Sequence, residues 1–287
     1  MRKSAFETLA VAMLALAGAS CLSYGQDENR PIWEQEAMLV YSESEAEFTR
    51  LRTLGRSNER LARYTRALEI LHGQRAASET EEEPYLMAQS LFSSLVEAND
   101  EDAIGLASQY YLARIAQSNP IEKDMSTAKR LYFDLYEARK DRFFGQMAFI
   151  KYATLEIYDE EGSEPDMLTR IQKLEPHAES LTIPDLRRNF HRVLGEAYAR
   201  FDLDPKQAFK HLDTAYQMGL PVESIKAEVL ARIATLGEAI GERERALQAY
   251  NELLLIDPFH EDAAEFAERA EALRRQLNRP AAKASPR

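Results

Sequence analysis

The groups with which this chain could do chemistry are five histidines, one cysteine and 48 carboxylates, and their spacing decides what that chemistry would be. His72, His177, His191, His211 and His260 are scattered, with no partner at metal-ligand spacing and no His-Glu-x-x-His helix. Each is expected to be a packed or surface imidazole, including His191, which falls beside Phe190 and Leu194. No Gly-x-Gly phosphate loop and no Gly-x-Ser-x-Gly elbow occurs. Glycoside hydrolysis needs two carboxylates facing one cleft at a set separation, and abundance alone does not supply that. The sequence therefore assigns no catalytic residue, no cofactor and no metal.

Cys21 is the only cysteine, so no internal disulfide forms and no thiol nucleophile lies beyond it. Its surroundings read as an export leader spanning residues 1–25. Arg2 and Lys3 precede an apolar run, Leu9 to Leu16, and small residues follow through Ser20. Ala17-Gly18-Ala19 fits the small–x–small rule for cleavage after Ala19, and Ser23-Tyr24-Gly25 offers a second cut after Gly25. Gly18-Ala19-Ser20-Cys21 resembles a relaxed bacterial lipobox, with Gly18 where a branched aliphatic is usual. That reading places cleavage after Ser20 and a lipid on Cys21, the one route by which this chain would be tethered to a membrane. The uncharged stretch Thr8 to Gln26 is padded with Gly and Ser and is marginal for a membrane span. Loss of Arg2, Lys3 and Glu7 with the leader makes the mature chain one unit more acidic than the −12 of the whole.

That net charge bears on partners. An acidic chain of 287 residues repels phosphate backbones, which argues against nucleic acid. Gln74 to Glu83, with its run of glutamates, is expected to be a solvated loop. It lacks the alternating ligands and turn glycine of a calcium loop. Tyr110, Tyr111, Tyr132, Phe133, Tyr136, Phe143, Phe144, Phe149, Tyr152 and Tyr158 form an aromatic concentration with two readings. They are repeat core, or they line a concave groove for a peptide or glycan, since Tyr buries its ring while its hydroxyl stays wet. Trp33 is expected to anchor a helix entry.

The elements that would position all of this are helices. Ala, Leu, Glu, Arg and Gln dominate, Gly and Pro number eleven each, and no sustained alternation of Val, Ile and Thr marks a strand. A spacer and helix occupy 26–56, the helix beginning near Ile32. Helix pairs then follow at about 57–73 with 84–98, 101–118 with 124–139, 142–159 with 164–176, 184–201 with 205–219, and 222–240 with 242–256. A final helix covers about 260–278, and residues 280–287 form a disordered tail. Within the second member of each pair one pattern recurs, a leading residue, usually small, then an aromatic or aliphatic residue four places on and an aliphatic one seven places on. It reads Ala88/Phe92/Leu95, Ala128/Tyr132/Leu135, Met167/Ile171/Leu174, Ala208/Leu212/Ala215 and Ala246/Tyr250/Leu253. That spacing lays an apolar stripe on one helix face. Steps of 38 to 41 residues between these starts mark stacked hairpins, each unable to bury both its faces alone.

The last unit carries a resemblance to a known family. Leu230, Ile233, Ala234, Gly241, Ala246, Tyr250 and Pro258 stand where the tetratricopeptide pattern expects them, counting from Ala227. Gly237 replaces an aromatic and is expected to loosen packing there. The preceding unit keeps Leu194-Gly195, Tyr198, Ala208, Leu212, Ala215 and Pro221, and the second pair keeps Leu106-Ala107, Tyr110, Ala128 and Tyr132. The chain thus resembles a tetratricopeptide-repeat protein. The likeness is strong over 227–260, fair over 185–221 and weak before that, so 57–180 reads as degenerate helical repeats and 181–279 as tetratricopeptide-like repeats with a capping helix.

The resemblance implies an all-α solenoid of about five antiparallel helix pairs with extra helices at both ends. It also implies a concave face lined by the first helix of each pair. Carried over by place, the groove residues are Asn189, Arg192 and Glu196 in one unit and Glu228, Arg232 and Thr235 in the next. Arg192 and Arg232 would hold a peptide carboxylate by paired hydrogen bonds, although the family's Lys/Asn peptide clamp is not reproduced. The implied function is a noncatalytic protein-binding scaffold of the bacterial periplasm or cell envelope. An envelope-glycan module using the aromatic groove and a small all-α enzyme are the alternatives. Exposed aromatics would favour the first, and a buried, converging pair of acidic side chains the second.

Intact-mass measurement of the chain exported from a bacterial host is expected to show loss of the first 19, 20 or 25 residues, with acyl mass added only for the cut before Cys21. Recovery of the uncut chain in the envelope would overturn the leader assignment.

Overall fold

A computed structural model of the chain describes residues 45–56, 58–77, 83–119, 123–158 and 166–278. Residues 1–25, read above as an export leader, Cys21, Trp33, most of the acidic run after Ala77, and residues 280–287, read as a disordered tail, lie outside these residues. Among the described residues the protein is all-helical, with twelve α-helices and no strand. They are α1 (Glu45–Gly55), α2 (Glu59–Ala77), α3 (Glu83–Ala98), α4 (Ala103–Ser118), α5 (Met125–Ala138), α6 (Phe143–Ile157) and α7 (Met167–Leu174). After a 3₁₀ turn at Glu175–Ser180 come α8 (Pro184–Arg200), α9 (Pro205–Gln217), α10 (Glu223–Ile240), α11 (Arg243–Ile256) and α12 (Ala263–Leu277). Gln74 to Ala77, read as loop from the sequence, continue α2 instead. Among the described residues no helix is long and apolar enough to cross a membrane.

The chain divides into two compact units, one of residues 1–166 with 179–186, the other of 167–178 with 187–287. In the first, each of α1 to α6 packs on its sequence neighbour, and the first members α2, α4 and α6 also touch in succession. In the second, α9 to α12 pack in sequence order.

The apolar stripe explains the pairing. Every stripe residue marked in the sequence is buried except Met167, which is half-buried. The four stripe-leading alanines, Ala88, Ala128, Ala208 and Ala246, have no exposed surface. Each leaves room for a neighbouring helix to come close, and the bulky residue one turn on fills the space beside it. The aromatic concentration is core: Tyr110, Tyr111, Tyr132 and Phe149 have no exposed surface, and only Phe133 and Tyr152 retain substantial exposure. Within it Phe92 stacks on Tyr111 at 5.3 Å between ring centres, and Tyr110 meets Tyr132 and Phe144 at 5.6 and 5.8 Å.

Corners between helices in the first unit are closed by polar groups. Asp102 caps α4 by accepting from the Gly105 amide at 2.8 Å. Arg60, reaching from α2, also binds Asp102 and donates to the carbonyls of Leu95 and Asn99 at 3.1 and 3.0 Å, satisfying the end of α3. Gly105 and Gly145 stand forty places apart at matching positions in the first turns of α4 and α6. A Cβ at Gly105 would lie 2.0 Å from the Asn99 carbonyl oxygen, and one at Gly145 would lie 1.8 Å from that of Arg139. Each hairpin corner is tight enough to admit no side chain.

Replacement Gly145→Ala is therefore expected to destabilise by about 1–3 kcal/mol through overpacking. Gly73→Ala, on α2 with open space around it, should stabilise by up to about 1 kcal/mol from helix propensity alone. Urea unfolding of the two variants beside the parent checks both signs.

Candidate functional site

The groove residues named from the sequence lie on α8 and α10, the first helices of the last two pairs. Ridge positions three and four apart on one helix share a face, so Asn189, Arg192 and Glu196 line one side of α8. Glu228, Arg232 and Thr235 do the same on α10. The fold brings four of the six into one charged cluster. Arg232 Nε lies 3.1 Å from Glu196 Oε2, an ion pair crossing from α10 to α8. The Glu196 side chain is 17% exposed against 47% for Arg232, so the carboxylate is the buried partner. Burial holds the Glu196 carboxyl above its usual range, against the pull of Arg232 and Arg192, while Glu228 adds to the rise.

The remaining two stand apart. Thr235 is exposed, but its hydroxyl is turned to its own helix, donating to the Ala231 carbonyl at 3.0 Å. Asn189 is half-buried on α8. Arg232, expected from the sequence to meet a partner's carboxylate, already holds one from within the chain. Its remaining guanidinium edge is what a ligand would meet.

The second helices of the same two pairs are also linked. Arg245 on α11 donates to Asp213 of α9 at 2.7 Å and lies 5.1 Å over the Tyr216 ring. The Tyr216 hydroxyl donates to Glu252 of α11. Burial, and then that carboxylate, push Tyr216 up to about 12. Gly237, where the family pattern wants an aromatic, leaves no gap: the Phe209 ring edge would stand 3.1 Å from a Cβ there. The expected loosening is thus corrected by a ring supplied from α9.

Sequence spacing missed a histidine pair. His191 on α8 and His211 on α9, twenty residues apart, bring their Nδ1 atoms to 3.0 Å, with 6% and 2% exposure. His211 Nε2 lies 3.2 Å from Glu175 Oε1, and the Tyr198 hydroxyl donates to Glu175 Oε2 at 2.9 Å. His211 occupies the place just before Leu212 in its apolar stripe, which is the one sequence signal of burial. No local spacing could reveal the partner, because it lies across a turn on another helix. Among the described residues no set of three or more His, Cys, Asp or Glu side chains is placed to hold a metal ion.

A cleft of about 350 Å³ in the first unit is lined by Glu69, Ile70, Gly73, Glu83, Pro84 and Met87. Its two carboxylates differ in setting, since Glu69 is paired with Arg52 at 2.5 Å and Glu83 is exposed.

A search of protein-family models returns no match to this chain, and no curated protein matches it.

Because burial outweighs the arginines at Glu196, its charged form costs the fold stability as pH rises above the usual carboxyl range. Glu196→Gln is expected to leave the melting temperature at pH 7 unchanged or raised, and the difference should shrink toward pH 4, where the parent carboxyl is protonated. A marked fall at pH 7, measured by thermal unfolding, would make the ion pair with Arg232 the stronger effect.

Proposed function

We propose that this protein is a noncatalytic scaffold of the bacterial cell envelope, built as a tetratricopeptide-like array and binding a protein or peptide along a surface made by its first helices. The observation that carries the reading is the Arg232–Glu196 ion pair, which links the first helices of two successive pairs. The contacts of α2 with α4 and of α4 with α6 support it in the first unit, where first helices again lie next to one another. Adjacent first helices present their outward side chains as one surface, on which Arg192, Glu228, Arg232 and Asn189 offer both charges and an amide. Such a surface favours an extended segment with alternating donors and acceptors. The close approach of α8 and α9 also suits the family pattern: a Cβ at Gly195 would lie 2.6 Å from Leu212 Cγ.

Burial of most of the tyrosine and phenylalanine rings, Phe133 and Tyr152 excepted, weakens the glycan-binding alternative. Envelope placement rests on the leader-like residues 1–25 and Cys21, and the partner is sought there.

Affinity capture from the envelope fraction, run in parallel with the parent and with an Arg192→Glu/Arg232→Glu double variant, tests the proposal. A protein recovered reproducibly by the parent should be lost, or weakened at least about tenfold, with the variant, since reversing two charges against a complementary ligand costs more than about 1.4 kcal/mol. Equal recovery by both would move the binding surface elsewhere, and recovery of polysaccharide alone would overturn the scaffold reading.

A further inference from the structure

The buried chain His191–His211–Glu175–Tyr198 joins three elements, α8, α9 and the start of the 3₁₀ turn, and its hydrogens can be placed by logic. A carboxylate only accepts, so Glu175 receives Nε2–H from His211 and O–H from Tyr198 at 3.2 and 2.9 Å. With both rings neutral, His211 Nδ1 is then bare, and His191 Nδ1–H donates to it across 3.0 Å. One extra proton fits, because a singly charged pair still has one Nδ1–H facing one bare Nδ1. Two do not, because both Nδ1 atoms would carry hydrogens at that separation. In water each ring would take its own proton below about pH 6.5.

We propose that this chain is a proton-operated latch, in which uptake of the proton that the closed histidine pair cannot hold frees Glu175 and its turn from α8 and α9. The charged groups acting on His211 are Glu175, on the turn, and Lys210, on α9, whose Nζ lies 3.8 Å from the same Glu175 oxygen. Tyr198, stacked on His211 with ring centres 5.9 Å apart, and His191 are its polar neighbours from α8. Burial lowers the proton affinity of His211, against the pull of Glu175 and with a smaller push from Lys210. The sign follows from proton counting. The open form binds more protons than the closed form below about pH 6.5, so falling pH favours opening, and neutral or alkaline pH keeps the latch shut.

Hydrogen–deuterium exchange of the full chain, corrected for the pH dependence of chemical exchange, provides the test. Peptides covering residues 167–178 and the facing parts of α8 and α9 should open more at pH 5.5 than at pH 7.5, by up to about tenfold per pH unit below 6.5. His211→Gln keeps a donor for Glu175 but removes the excess proton, and its slope should vanish. If that variant does not fold, ¹⁵N NMR of the imidazoles in the parent decides. At pH 7.5 it should show one ring protonated at Nδ1 and its neighbour bare there. Both rings protonated at Nε2, an unchanged pH slope in His211→Gln, or a slope abolished by a metal chelator would each overturn the latch.

Discussion

Close approach between helices that carry almost nothing at the point of contact is the constraint on which this structure rests. The alanines at the head of four apolar stripes are fully covered, and the first turns of α4 and α6 meet the ends of the preceding helices at glycines where no Cβ fits. Helices drawn that near must fill the rest of their interface with large rings and branched chains, or leave voids. Phe92, Tyr132 and Tyr250 do so one turn from their alanines, each with no exposed surface. The same closeness strips water from any polar group caught between the helices, so such groups must find partners.

That demand accounts for the polar links. Arg60 answers two carbonyls at the end of α3 and the carboxylate that caps α4. Glu196 is drawn partly out of water and is answered by Arg232 from the next first helix. Asp213 is answered by Arg245 from the next second helix. The histidine pair belongs to the same class but differs in kind, since two imidazoles, not two opposite charges, meet across 3.0 Å. Ion pairs here join side chains from successive helix pairs.

Much of the fold was legible from residue spacing. A stripe at i, i+4 and i+7 lays a buried face along a helix, and its recurrence near every forty residues marked that face on five helices. Helix ends were marked by Pro184, Pro205 and Gly241, whose backbone preferences act within a single turn. The departures lie where a local signal was overridden. Gln74 to Ala77 read as loop because of the glutamates beyond them, yet helix propagation carried α2 through. Gly237 read as a gap because the residue that fills it, Phe209, comes from the preceding helix. The candidate groove was legible as a set of places in a repeat, but the capture of Arg232 by Glu196 was not.

By itself, then, the sequence determined the local and periodic facts: helices, their faces and their order. These follow from interactions that reach no further than a turn or two along the chain. Only the tertiary structure decided which side chains from different helices meet, such as His191 with His211 and Glu196 with Arg232. Their separations in sequence carry no period, and their encounter depends on how far helices slide and rotate before their small residues lock together.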